Sequence, residues 1–316
     1  MEKTILNYLG GTPVVSIENE VINLYAKLEC YNPLGSIKDR AAKYILQKLL
    51  NDNVIQNDTM IVESSSGNFG VALAAYCRFF NLPFTCVIDP LISPTNEMLI
   101  RHMNAVVEKV EVSDKNGNYL LSRLDSVKQI IDRNKNSYWI NQYENPYNAE
   151  AYENTIGKEI CDQFSSIDYI FIGVSSGGTI TGISNKLKEK FPRIKVVAVD
   201  IEGSIVFGGN AKPRFLPGIG ANRVPPIIQK AKIDYVEQVS EVQSVRMCRE
   251  LLEQHYLFCG ASSGAVYAAI LNFFSKEFKA SNKKPVVLAI FPDGGNRYTD
   301  TVYNDVWCKE KYGIEI

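Results

Sequence analysis

The chain has 316 residues, 46% of them hydrophobic and 22% charged, with a net charge of −1. That length exceeds one small core and points to one large α/β domain or two lobes. The near-zero charge leaves no electrostatic case for nucleic acid or an anionic membrane, and uninterrupted apolar runs such as 286–291 are strand-length, far short of a membrane span.

In chain order, 24–29 alternates as a strand, and 41–50 repeats its apolar residues at helical spacing. Further strands are predicted at 60–63, 84–88, 105–109, 169–173, 196–200 and 286–291. Helices are predicted at 68–80, 95–102, 119–134, 149–164, 179–191, 242–255 and 264–278. The alternation argues for parallel βαβ units. Asn32-Pro33 and Asn145-Pro146 mark two crossings without a long linker. The expected division is therefore a lobe at 31–143 and a second at 144–316 joined by 1–30, with a cleft between them.

The seven cysteines are dispersed, with no Cys-x-x-Cys pair, and the two histidines are His102 and His255. No zinc set follows. An odd, scattered thiol count points to reduced cysteines and a cytoplasmic location. The first seven residues lack the apolar centre of a signal peptide.

Several stretches sit where a strand or turn feeds a helix. Lys38 lies at the end of Asn32-Pro33-Leu34-Gly35-Ser36-Ile37, just before the helical run. A lysine there can be aimed into a cleft, although a lone lysine is more often solvated. Ser64-Ser65-Ser66-Gly67-Asn68-Phe69-Gly70 reads equally as a serine-rich cap or as an anion-binding helix start. Ser175-Ser176-Gly177-Gly178-Thr179 can cradle a phosphate with N–H groups and hydroxyls. It is not a nucleotide P-loop, because Thr179 stands where lysine is required. Gly260-Ala261-Ser262-Ser263-Gly264 opens another helix.

The stretch Asn32–Arg40 resembles the cofactor-lysine motif Asn-Pro-x-x-Ser-x-Lys-Asp-Arg of the cysteine synthase family, agreeing at all six specified positions. The resemblance extends from Gly11-Thr12-Pro13 to Arg297-Tyr298. It implies an α/β, two-lobed fold of pyridoxal-phosphate (PLP) fold type II, like the tryptophan synthase β chain. Each lobe would be a twisted, mostly parallel sheet flanked by helices. It implies pyridoxal 5′-phosphate as cofactor, covalently linked to Lys38, small amino-acid substrates and a homodimer. By the same resemblance Ser175, Ser176, Gly177, Gly178 and Thr179 hold the cofactor phosphate, and Ser262 meets the pyridine nitrogen. Ser65, Ser66, Asn68 and Gln142 hold the substrate carboxylate, Asn68 also facing the cofactor.

A neutral hydroxyl at the pyridine nitrogen favours replacement at Cβ over transamination. Phe69 departs from the family's threonine, and Arg223, in Gly220-Ala221-Asn222-Arg223-Val224-Pro225, departs from an apolar residue. A guanidinium there can fork onto a second anion. These departures resemble a branch that joins O-phospho-L-serine to L-glutamate with release of phosphate, feeding 2,3-diaminopropionate, siderophore or antibiotic biosynthesis. Cysteine synthase acting on O-acetylserine or O-phosphoserine, and a catalytically silent binding protein, are the other readings.

Overall fold

The computed structural model describes residues 4–113, 119–277 and 283–313. Phe278, the expected end of one helix, and Met1–Lys3 of the N-terminal segment lie outside the described residues.

The chain opens with a hairpin, β1 (Val14–Ile17) against β2 (Asn23–Leu28), and a single 3₁₀ turn at Glu29–Tyr31 leads to α1 (Lys38–Asn51). One face of α1 carries Ala41, Ala42, Ile45, Leu46 and Leu49, all buried at helical spacing. Three βα units and a fourth strand follow: β3 (Met60–Ser64), α2 (Asn68–Phe79), β4 (Phe84–Ile88), α3 (Pro94–His102), β5 (Val106–Lys109), α4 (Leu120–Arg133) and β6 (Ser137–Trp139). They build a four-stranded parallel sheet in the order β5-β4-β3-β6. Every residue of β4 is buried, as expected of a parallel strand covered on both faces.

The chain continues through α5 (Pro146–Asn154), α6 (Ile156–Gln163), β7 (Tyr169–Gly173), α7 (Gly178–Lys190), β8 (Lys195–Ile201), β9 (Tyr235–Val239), α8 (Glu241–His255), α9 (Ala261–Glu277), β10 (Val286–Phe291) and α10 (Asp305–Tyr312). Their strands join the hairpin in a six-stranded sheet ordered β1-β2-β10-β7-β8-β9, parallel except for the β1–β2 pair. One buried apolar cluster runs from Ile45 and Val71 through Ala151 and Tyr152 to Ile170 and Ile183, so the layers of the two sheets share a core.

The strands predicted at 84–88, 169–173 and 286–291 match the structure to the residue. Three differences have physical causes. The helix expected over 149–164 is two helices, because Thr155 leaves helical geometry (φ −113°, ψ −93°) and turns its hydroxyl onto the Ala151 carbonyl at 2.6 Å. Helix α5 then lies so close to α7 that a Cβ on Gly182 would come within 2.1 Å of the Ala149 carbonyl. Strands β1, β6 and β9 were not predicted: β1 and β9 are sheet edges and β6 has three half-buried residues, so none alternates cleanly. Helix α10 escaped as well, since of its residues only Cys308 is buried.

Candidate active site

The C-terminal ends of β3, β4, β6, β7 and β10 converge on one cavity of about 360 Å³. Crevices beyond the carboxyl ends of parallel strands are the usual ligand sites of open α/β sheets.

Lys38 is the first residue of α1 and lines this cavity. Its Nζ lies 3.5 Å from the Ser176 hydroxyl and 5.9 Å from the centre of the Phe69 ring. Among the described residues no carboxylate is within ion-pairing distance. Burial lowers its pKa to about 8, partly opposed by the charge of Glu63. An amine so placed is desolvated and held in no ion pair among the described residues, so a larger share of it is neutral at physiological pH than of an exposed lysine, and the neutral form is what a nucleophilic lysine needs.

Opposite Lys38, Ser175, Ser176, Gly177 and Thr179 line the cavity at the start of α7. Gly177 caps the helix at φ +85°, where a side chain would be strained and its Cβ would meet Ile227 at 2.8 Å. Neither serine has positive φ, so serine fits both places. Ser175 donates to the Gly220 carbonyl at 3.0 Å. Gly178 stands behind the loop, where a Cβ would run into the Asn148 amide at 2.5 Å. This is a fixed cradle of N–H donors and hydroxyls at a helix N-terminus, suited to a phosphate. Ser262, buried at the start of α9, lines the same cavity. The unpaired amine, the phosphate cradle and the neutral hydroxyl together fit pyridoxal phosphate.

Ser65, Ser66, Asn68 and Gln142 also line the cavity. Ser65 Oγ accepts from the Gly70 N–H at 3.0 Å and stiffens its own loop. The Asn68 amide donates to Asp293 Oδ2 at 2.6 Å, and its oxygen accepts from Arg297 Nη1. Asp293, buried, also accepts from the Tyr298 hydroxyl at 2.8 Å; burial raises its pKa. Asp293, Arg297 and Tyr298 thus tie Asn68 to the loop after β10.

Arg223 is not brought to the cavity. Its Nη2 is paired with Glu144 Oε1 at 2.7 Å, and its guanidinium lies 4.9 Å from the centre of the Tyr143 ring. It therefore backs Tyr143, which does line the cavity. The arginine that lines the cavity is one the sequence did not suggest, Arg123 of α4. Arg123 Nη1 donates to Ser66 Oγ at 3.0 Å and pairs with Asp89 Oδ2 at 2.9 Å, while its buried Nε has no partner. No motif marks Arg123; only the return of α4 over the four-stranded sheet brings it there. Asp89 and Asp293 stood in loop segments with visible sequence signals, after β4 and β10.

A two-sheet α/β fold that brings a buried lysine amine and three serine-bearing helix starts onto one cavity has the architecture of a cofactor enzyme. The chain belongs to the pyridoxal-phosphate dependent enzyme family, which it matches over residues 5–293. It is 42% identical over 310 residues to the N-(2-amino-2-carboxyethyl)-L-glutamate synthase of Ralstonia nicotianae, covering 96% of this chain and 90% of that protein. It is 40% identical over 309 residues to the synthase of the same name from Cupriavidus metallidurans, with the same coverage. Among solved structures it superposes on the O-acetylserine dependent cystathionine β-synthase of Helicobacter pylori with a TM-score of 0.88 and 31% identity, covering 96% of this chain and 99% of that one. The protein is a pyridoxal-phosphate dependent enzyme of β-replacement with the type II fold, which sets aside the silent binding protein. No helix among the described residues is long and apolar enough to cross a membrane.

Proposed function

We propose that the enzyme joins O-phospho-L-serine to L-glutamate, forming N-(2-amino-2-carboxyethyl)-L-glutamate and phosphate. The observation that carries this reading is the name shared by two relatives at 40% identity or more; the Arg123–Ser66 corner, where Arg123 also pairs with Asp89, sets a cation beside the serine-rich loop and supports it. An acetyl ester offers no comparable anion for a guanidinium to read.

In this reading Lys38 holds the cofactor, the Ser175–Thr179 loop takes its phosphate and Ser262 meets its pyridine nitrogen. Once bound, the cofactor withdraws electrons from the substrate Cα, which makes replacement at Cβ accessible. Lys38 then serves as the base that removes the Cα proton and returns it, a role worth roughly 10²–10⁴-fold in rate. Ser65, Ser66, Asn68 and Gln142 orient the substrate carboxylate. Arg123, whose Nη1 meets Ser66 Oγ beside the cavity, supplies positive charge near the phosphate as the Cβ–O bond breaks. The glutamate nitrogen forms the new bond to Cβ and loses a proton. The free state of all seven cysteines supports a cytoplasmic setting for this chemistry, and a homodimer is part of the same reading.

The test is mass spectrometry of the product, with phosphate release followed in parallel. O-phospho-L-serine is supplied with L-glutamate or with sulfide. The synthase product should appear with glutamate. Cysteine formed only with sulfide would identify a cysteine synthase instead.

A further inference from the structure

The two loops read as holding the substrate carboxylate leave from neighbouring parallel strands, β3 and β6. The ladder between these strands stops early. Its last pair is Val62 with Trp139, followed by one main-chain bond from the Ile140 N–H to the Val62 carbonyl at 3.1 Å. Beyond that point the strands diverge into the Ser64–Asn68 and Gln142–Tyr143 segments.

One side chain spans the gap. Glu63, only 2% exposed, accepts from the Ser64 N–H at 2.7 Å and the Trp139 indole N–H at 3.4 Å through Oε1. Through Oε2 it accepts from the Gln142 N–H at 3.2 Å. The Gln142 carbonyl is held in turn by the Asn148 amide at 2.6 Å. Glu63 is not among the cavity-lining residues. Yet it is bonded to one backbone N–H at the root of each loop. A buried carboxylate is costly to place without such donors. Here the donors are the two backbones whose separation sets the width of the carboxylate pocket.

We infer that Glu63 is a positioning residue for the amino-acid substrate, its carboxylate fixing the spacing between the Ser65–Asn68 loop and Gln142. This rests on the substrate-carboxylate reading of those loops given above.

Burial raises the Glu63 pKa to about 7 against the pull of the three N–H donors. A carboxylate accepts at both oxygens, whereas an amide accepts at one. In Glu63→Gln, whichever way the amide turns, one loop N–H faces a donor. Steady-state kinetics of the holoenzyme with O-phospho-L-serine should show KM raised about tenfold and kcat altered less than about twofold, the loss of one well-placed hydrogen bond. Cofactor absorbance should be unchanged. Glu63→Asp keeps the charge but lacks the reach, and should raise KM similarly. It also serves if the glutamine variant does not fold. Trp139→Phe removes only the indole contact and should leave KM near wild type.

Ser65→Ala separates the two levels of the argument. If it raises KM while Glu63→Gln and Glu63→Asp do not, the positioning role is wrong and the pocket reading stands. If it leaves KM unchanged, the pocket reading fails and the inference with it. A fall in kcat and cofactor content at constant KM in the Glu63 variants would show a merely structural role and overturn it.

Discussion

Lys38 owes its reactivity to what surrounds it. Its amine has a weak hydroxyl contact and an aromatic face but no ion-pair partner among the described residues, and burial draws its pKa down to about 8. The neutral fraction therefore grows as pH rises through that value. Lys38→Ala should lose at least about 10²-fold in turnover while circular dichroism stays that of a folded chain; turnover near wild type would remove Lys38 from the chemistry. Arg123 and Arg223 make a paired comparison. Arg123→Ala should lower kcat/KM for O-phospho-L-serine by about tenfold or more, the scale of a lost charge-assisted hydrogen bond. Arg223→Ala should cost much less, because its partners are Glu144 and the outer face of Tyr143. Equal losses in the two variants would show that Arg123 does not read the donor's anion. The lysine was legible from local sequence because a motif of adjacent residues surrounds it. Arg123 was not, since its cavity partners Ser66 and Asp89 are 57 and 34 positions away.

Helix α1 carries Lys38, and its own anchor lies two residues further on. Arg40, 1% exposed, bonds Glu29 through Nε at 2.6 Å and Nη2 at 2.9 Å. It bonds Glu159 of α6 through Nη1 at 2.6 Å and Nη2 at 3.0 Å. Lys27 of β2 completes the cluster at 2.9 Å from Glu159. The helix start is thereby clamped to the hairpin and to α6. Arg40→Met would leave Glu29 buried without its cation and should cost about 3–5 kcal/mol, measured by urea unfolding. A loss below about 1 kcal/mol, the range of an exposed pair, would mean the cluster anchors nothing. Elements with strong internal periodicity, such as α1 and β10, were readable in sequence. Edge and short elements, β6 and β9, were not, because their place depends on a neighbour's register rather than on their own pattern.

At the scale of the whole molecule, several acids are held away from water. Glu63 and Asp39 move from ordinary values of 4.5 and 3.8 to about 7, chiefly by burial. Asp293 and Asp200 are raised for the same reason. Between roughly pH 4.5 and 7 the folded chain keeps protons that the unfolded chain has released. Stability of the cofactor-free protein should therefore fall as pH rises across that window. Urea midpoints at about pH 5 and about pH 7.5 test this, and Asp39→Asn should flatten the slope. A midpoint that rises over the same range would contradict the burial of these carboxyls. The pairs made by Glu159, whose pKa is lowered to about 2, act only below about pH 4.5 and leave the window untouched.

The amino-acid sequence by itself determined the alternation of strands and helices, the class of fold, and the short glycine- and serine-rich loops that meet at the cavity. These are properties of adjacent residues: spacing, turn chemistry and helix starts. Only the tertiary structure decided which charges face the cavity, that Arg123 rather than Arg223 stands there, and that Glu63 bridges two loops. Those outcomes depend on residues far apart in the chain being brought within hydrogen-bonding distance of one another, and no local pattern encodes that separation.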